Sequence, residues 1–204
     1  GCTSSPAKTP ELYDRILRQE CNIRCALVDN AEHHCEFDMS LLRPLWRFTQ
    51  YSTRAMVQSY LTGARDGAAG ALDGYLDWVQ AEGERLVRKG AFGLKMIAFA
   101  YEKPDKQRAE AAYRAMTGAD GGGAGAGDAV HLAGLVCDHA FEVARKHSLT
   151  VAVHSGVWGD FRESHPCHLI PLATAYPDLR FDLFHLGMPF VREAVLIGKM
   201  FPNV

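Results

Sequence analysis

Long apolar runs are missing from this chain. The longest, such as "LTVAVHSG", is strand-sized and far short of the roughly 20 residues that cross a bilayer, so no membrane partner is expected. Excess charge is missing too: 22 Lys and Arg stand against 24 Asp and Glu, a formal net charge of −2. That leaves no electrostatic case for nucleic acid or an anionic surface as partner. Paired cysteines are also absent. Cys2, Cys21, Cys25, Cys35, Cys137 and Cys167 lie scattered without a Cys-x-x-Cys, which favours reduced thiols in a cytoplasmic protein over a disulfide framework or a zinc knuckle. No secretory signal is visible. The chain starts Gly1-Cys2 without a methionine; lipoprotein processing leaves such a junction, and a cut made anywhere is the preferred reading. The stretch "TGADGGGAGAGD" lacks both the Gly-Lys-Ser/Thr ending and the preceding strand of a phosphate loop. Residues 118–127 therefore read as a linker or surface insertion.

What is present is enough apolar material, 48% of 204 residues, for a sizeable core. Thr9-Pro10-Glu11 starts a helix that runs to about Glu20, with an N-cap oxygen, a proline at the first helical position and an acid at the positive end of the dipole. "NIRCALVDN" (22–30) reads as a strand and "AEHHCEFD" as a loop. Residues 40–63 read as a broken helix, and "GARDGAAG" as a joint. From Ala71 to Lys89, Leu72, Tyr75, Leu76, Val79 and Leu86 recur at helical spacing. "FGLKMIAFA" (92–100) is a second strand, and a helix is expected near 105–117. Another begins with Asp128 as its cap and shows Leu132, Leu135, Val136 and Val143 on one stripe. "SLTVAVHSG" and "LRFDLFHLG" are a third and a fourth strand, each followed by a helix (166–177 and 189–200), and "FPNV" reads as the start of a fifth strand. Strands alternating with helices over connections too long for hairpins predict an α/β fold with parallel strands. Ligands in such folds gather beyond the carboxyl ends of the strands. His154 and His185 sit at those ends, as do Asp29, Asn30 and the His33-His34 pair.

Alternation puts Thr150, Ala152 and His154 on one face, which is small enough for a barrel interior, and Leu149, Val151 and Val153 on the other. In the fourth strand Phe181, Leu183 and His185 are expected on the site face. That leaves Asp182 on the helix-covered side without an account. A single strand-end histidine is commonly a satisfied polar residue. Two of them on consecutive parallel strands, each with a glycine two residues later, suit metal ligation, for which neutral imidazole is the commonest side chain.

"VAVHSG", "HPCHLIPLATAYPDLRFDLFHLGMPFVREAVLIGKMFPNV" and "GLKMIAFAY" resemble the amidohydrolase superfamily, in its metal-dependent TIM-barrel branch. The likeness is strong over about 149–204, fair over 71–101 and thin before that. It implies an incomplete (β/α)8 barrel of four to five strands, laid out as one domain over 1–204, and a divalent metal, zinc by preference. It also implies roles. His154 matches the metal-binding histidine of the fifth barrel strand. His185 matches the sixth-strand histidine, which binds a second metal or polarises water or substrate. Lys95 falls where some members carry a carbamylated lysine, the alternative being a lysine that pairs with a carboxylate or touches substrate. Asp160 and Arg162 hold an anionic substrate group or form a surface ion pair.

The departures from the family pattern are equally plain. No His-x-His occurs, and no eighth-strand aspartate is present. Four clear strands cannot close a barrel, so a piece of a longer product is expected ahead of a degenerate relative. His33 and His34 are adjacent, so both cannot point the same way from a strand. His165 and His168 read as a helix-starting turn around Pro166. His131, His139 and His147 step around their helix and share no face, and the cysteines are expected in the core. The implied activity is metal-dependent hydrolysis of a small carbon–nitrogen or ester substrate. The alternatives are non-oxidative decarboxylation of an aromatic or muconate-like acid, and a non-catalytic scaffold. Whether the protein is a homo-oligomer is left open.

Overall fold

A computed structural model describes residues 10–29, 40–63, 71–118, 126–157 and 159–204. Its centre is a parallel sheet of five strands, β1 (Ala26–Asp29), β2 (Leu42–Arg47), β3 (Gly93–Ile97), β4 (Thr150–His154) and β5 (Arg180–Phe184). Their order in the sheet is their order in the chain, β1-β2-β3-β4-β5. Parallel connections are almost always right-handed, so an unreversed strand order sends every crossover to the same side. That is the wall of a partial (β/α) barrel, in contrast to a doubly wound sheet, where the order reverses.

The helices are α1 (Pro10–Tyr13), continued by a π-helical stretch over Asp14–Glu20, α2 (Arg54–Gly63), α3 (Leu72–Arg88), α4 (Lys106–Thr117), α5 (Ala126–His147), α6 (Leu169–Ala175) and α7 (Val191–Met200). The apolar stripe of α3 is buried as its spacing predicts, at Leu72, Tyr75, Leu76, Val79 and Leu86. Asp105 caps α4 by accepting from the Arg108 N–H at 3.0 Å. Glu84 on α3 accepts from Lys146 Nζ at 2.8 Å and lies 2.9 Å from His147 Nε2, clamping α3 to the end of α5. Those two partners hold the Glu84 carboxyl below the usual glutamate range.

Register decides which side chains meet. Trp46, Leu94, Val151 and Phe181 lie in one row across the sheet, and Met96, Val153 and Leu183 in the next. Both rows face the helices and belong to the packed core, or rest against it, with Phe48, Tyr75, Leu132 and Phe141. The opposite face carries the row Arg47, Lys95, Ala152, Asp182 and then the row Ile97, His154, Phe184. Arg47, Lys95, Ile97, His154 and Phe184 on this face line one cavity.

Several expectations are corrected here. Residues 42–47 form β2 instead of helix. Leu41, Leu42, Leu45 and Trp46 mimic a helical stripe, yet all four are buried from strand β2 and its start. Pro44, which cannot donate to a ladder, still serves it by accepting from the Phe92 N–H at 2.8 Å. In β5 the predicted parity is inverted. Phe181 and Leu183 face the helices, which places Asp182 on the opposite face beside Ala152 and removes the difficulty it posed. Helix α5 begins at Ala126, so Asp128 is a first-turn residue that accepts from Arg108 Nε at 2.8 Å. "FPNV" is a turn and not a strand. Its Asn203 accepts from the Phe181 N–H at 2.8 Å and donates through Nδ2 to the Ala173 and Tyr176 carbonyls, both at 3.1 Å. Of the cysteines, Cys137 is buried, whereas Cys21, Cys25 and Cys167 are exposed free thiols. Cys2, Cys35, Thr9, Asn30, His33, His34 and most of the glycine-rich insertion lie outside the described residues.

Candidate active site

His154 is the last residue of β4 and is buried. Its Nε2 lies 3.1 Å from the Val157 carbonyl oxygen, an acceptor, so Nε2 carries the proton and Nδ1 holds the lone pair. That lone pair accepts from the His185 Nε2–H at 3.1 Å, with the rings 4.7 Å apart and inclined by 70°. The two imidazoles therefore converge as expected, but by a different route. Strand β5 ends at Phe184, and the chain then turns through left-handed backbone at His185 (φ 64°), Leu186 (φ 49°) and Gly187 (φ 61°). This turn, and not strand parity, delivers the His185 ring. Partial desolvation holds the His185 pKa below the usual histidine value, with His154 and Lys95 adding to the effect. A ring kept neutral is a ring able to offer a lone pair.

The loops after β4 and β5 are tied to each other. The Val157 N–H donates to the Met188 carbonyl at 2.8 Å, and Ser155 Oγ donates to the Phe184 carbonyl at 2.9 Å. The Gly156 N–H donates to the Ser164 carbonyl at 2.8 Å, and Ser164 Oγ returns a bond to the Gly156 carbonyl at 3.2 Å. Val157, a β-branched residue, is held at φ 39°. Such conformations cost about 1–3 kcal/mol each and persist only where the surroundings over-determine them. The glycines of the two His-x-Gly patterns serve this packing. A Cβ on Gly156 would strike the Met188 carbonyl oxygen, and one on Gly187 would come within 2.9 Å of Pro166 Cγ. Neighbouring chain, rather than a ligand, is what they admit.

Beyond the strand ends lies a cavity of about 850 Å³, lined by both histidines, Asp29, Arg47, Lys95, Ile97 and Phe184 among others. Arg47 forks onto Asp29, with Nε 3.1 Å from Oδ1 and the second bond made to Oδ2. Sequence reasoning missed Arg47 because its strand read as helix. Lys95 is buried, and its Nζ stands 4.0 Å over the Phe184 ring. Asp160 and Arg162 pair with each other, Arg162 Nε lying 2.8 Å from Asp160 Oδ1. Asp160 lines the cavity, while the Arg162 side chain is 78% exposed. The Arg162 guanidinium holds the Asp160 carboxyl down at about 2.

The remaining histidines are held separately. His165 caps the 3-10 turn Pro166–His168 by accepting from the Cys167 N–H at 3.1 Å, as the Pro166 signal implied. His131 Nδ1 accepts from the Asp105 N–H at 3.2 Å, and His139 Nδ1 lies 2.9 Å from the Leu135 carbonyl. Among the described residues no group of three or more His, Cys, Asp or Glu could hold a metal ion. His154 Nδ1 and His185 Nε2 have the mutual spacing of two ligands on one ion, and both would ligate once the His185 proton moves from Nε2 to Nδ1. They fit a metal as two members of a set. Nor is any described helix long and apolar enough to cross a membrane.

A family model described as Amidohydrolase matches residues 46–204. No curated protein matches. Among solved structures, a protein from Lactobacillus casei ATCC 334 assigned as a metal-dependent hydrolase aligns with a TM-score of 0.69 at 16% identity, over 94% of this chain and 52% of its own. Uronate isomerase from Thermotoga maritima aligns with a TM-score of 0.70 at 16% identity, over 93% of this chain and 50% of its own. At that identity the likeness shows the fold, a partial (β/α) barrel. The chain spans about half the length of both structures.

Proposed function

The chain belongs to the Amidohydrolase family, and on that premise we propose that it serves metal-dependent hydrolysis of a small carbon–nitrogen or ester substrate. The observation that carries this reading is the 3.1 Å approach of His154 Nδ1 and His185 Nε2 at the edge of a cavity beyond two strand ends. These two nitrogens would hold a divalent ion, zinc by preference. Such an ion, when bound, brings the pKa of a water ligand towards ~7 and polarises a carbonyl.

The protein's own part is orientation. Val157 fixes the His154 tautomer through Nε2–H, as ligating histidines commonly require. Partial desolvation, with His154 and Lys95 beside it, favours the neutral form of His185, an exposed residue. Phe184, Ile97 and Phe99 give the cavity apolar walls that limit water around the reacting atoms. Asp160, with Arg162 beside it, sits at the rim, placed to meet the polar end of a substrate. The exposed free thiols suit a reducing, cytoplasmic setting.

Metal analysis tests this reading. The full-length protein should carry about one or two equivalents of divalent metal, whereas the given chain, with two ligands where a catalytic zinc takes three, should bind metal weakly by itself. His154→Ala and His185→Ala should each lower that content at least several-fold while the fold persists by circular dichroism. Content unchanged in both variants removes the two rings from the site.

A further inference from the structure

We propose that Ser155 is a positioning residue for His185: its hydroxyl holds the turn that brings the His185 ring to His154. The inference deepens the metal-binding reading above and rests on these two rings being the pair that meets the ion.

Ser155 follows His154 directly and is 0% exposed. Strands β4 and β5 stay in register up to the pair His154–Phe184. One step past that pair, Ser155 Oγ–H donates to the Phe184 carbonyl at 2.9 Å. That carbonyl belongs to the peptide that leads into His185, where β5 stops. His185 (φ 64°) and Leu186 (φ 49°) are then held in left-handed backbone. L residues disfavour that region and stay in it only where the surroundings fix them. Four bonds do so here. The Met188 N–H donates to the His185 carbonyl at 3.1 Å and the Phe190 N–H to the Gly187 carbonyl at 2.7 Å, both within the turn. The other two tie the turn to the loop after β4, through the Val157 N–H onto Met188 at its exit and through Ser155 at its entry. Of these four, Ser155 makes the one bond that uses a side chain.

Entry is where the ring is aimed. A peptide is planar, so fixing the Phe184 oxygen fixes the His185 nitrogen, and with it the axis about which His185 turns. The result is a 3.1 Å approach of His185 Nε2 to His154 Nδ1. Zinc–nitrogen bonds in tetrahedral geometry set two ligating nitrogens roughly 3.3 Å apart, so the clamp presents the rings close to ligand spacing before any ion arrives. The far side of His154 is held independently, by the Val157 carbonyl on Nε2. Loss of the Ser155 hydroxyl should therefore fall on His185 and spare His154 Nε2.

Two-bond proton–nitrogen NMR of the metal-free chain tests this. In the wild type His185 Nε2 carries a proton protected from exchange. Ser155→Ala should lose that protection and give His185 the mixed tautomers of an imidazole in water, while His154 Nε2 keeps its proton. Ser155→Thr retains the hydroxyl and should restore the wild-type pattern. In zinc titrations the alanine variant should bind about tenfold more weakly or worse, and the threonine variant within about threefold of wild type. Ser155→Cys, close in size and a weak donor, should change in the same direction as alanine and serves if the alanine variant does not fold. A merely structural hydroxyl would lower the melting temperature and leave the His185 signals and zinc affinity as they were, which overturns the proposal. So does a folded threonine variant that fails to restore them. If the wild type takes up no zinc, the metal reading fails, and the metal-free spectra still decide the role of Ser155.

Discussion

Gly156→Ala lowers folding stability by about 3 kcal/mol or more. Gly156 sits at φ 61°, where an L residue pays roughly 1–2 kcal/mol. Here a second cost adds to it. The new Cβ would meet the Met188 carbonyl oxygen and the Gly187 backbone, and backbone cannot rotate away as a side chain can. Relief requires the loops after β4 and β5 to part, which breaks the Val157–Met188 bond and withdraws the carbonyl that holds the His154 tautomer. Gly159→Ala is the internal control. It shares the left-handed backbone at φ 59° but has nothing within 4 Å of its Cβ. It should lose only the backbone cost, about 1–2 kcal/mol. Urea melts of both variants measure the difference. Equal losses would show that the contact with Met188 carries no weight.

Phe141→Ala costs about 3–5 kcal/mol, the range for deleting a fully buried aromatic side chain. Phe141 on α5 is 0% exposed, and its ring lies 5.7 Å from Phe48, 4.8 Å from Tyr176 and 5.9 Å from Phe181. It thus joins the segment after β2, the end of α6 and strand β5 through one helix. Because Phe181 begins the strand whose end presents His185, the variant should also weaken metal retention, by less than the histidine variants do. A loss under about 1 kcal/mol in chemical denaturation would mean the aromatic core is loosely packed.

Helical periodicity made α3 and α5 readable from the sequence, and strand–helix alternation made the parallel sheet readable. What failed was short and local. "LRPLWR" carries apolar residues at both helical and strand spacings, so periodicity alone does not tell strand from helix there. Only its place between β1 and β3 settles it as β2, and with it Arg47. The β5 error was one of parity. "FDLF" has a large residue at both Phe181 and Phe184, so hydrophobicity alone cannot say which of them faces the helices. The partnership with β4 decides it, Val151 beside Phe181 and His154 beside Phe184. The site histidines were legible because each ends an apolar run before a glycine. The left-handed turn that aims His185, and the Val157 carbonyl that orients His154, are backbone features with no code in residue type.

The central claim concerns which nitrogens of which rings meet. Two-bond proton–nitrogen NMR of the imidazoles, recorded as zinc is added to the full chain, reads it directly. The geometry predicts that His154 Nδ1 and His185 Nε2 move to metal-bound shifts together, while His154 Nε2 keeps its proton on Val157. Zinc that leaves both rings unchanged, or that binds His154 through Nε2, would contradict the site as described.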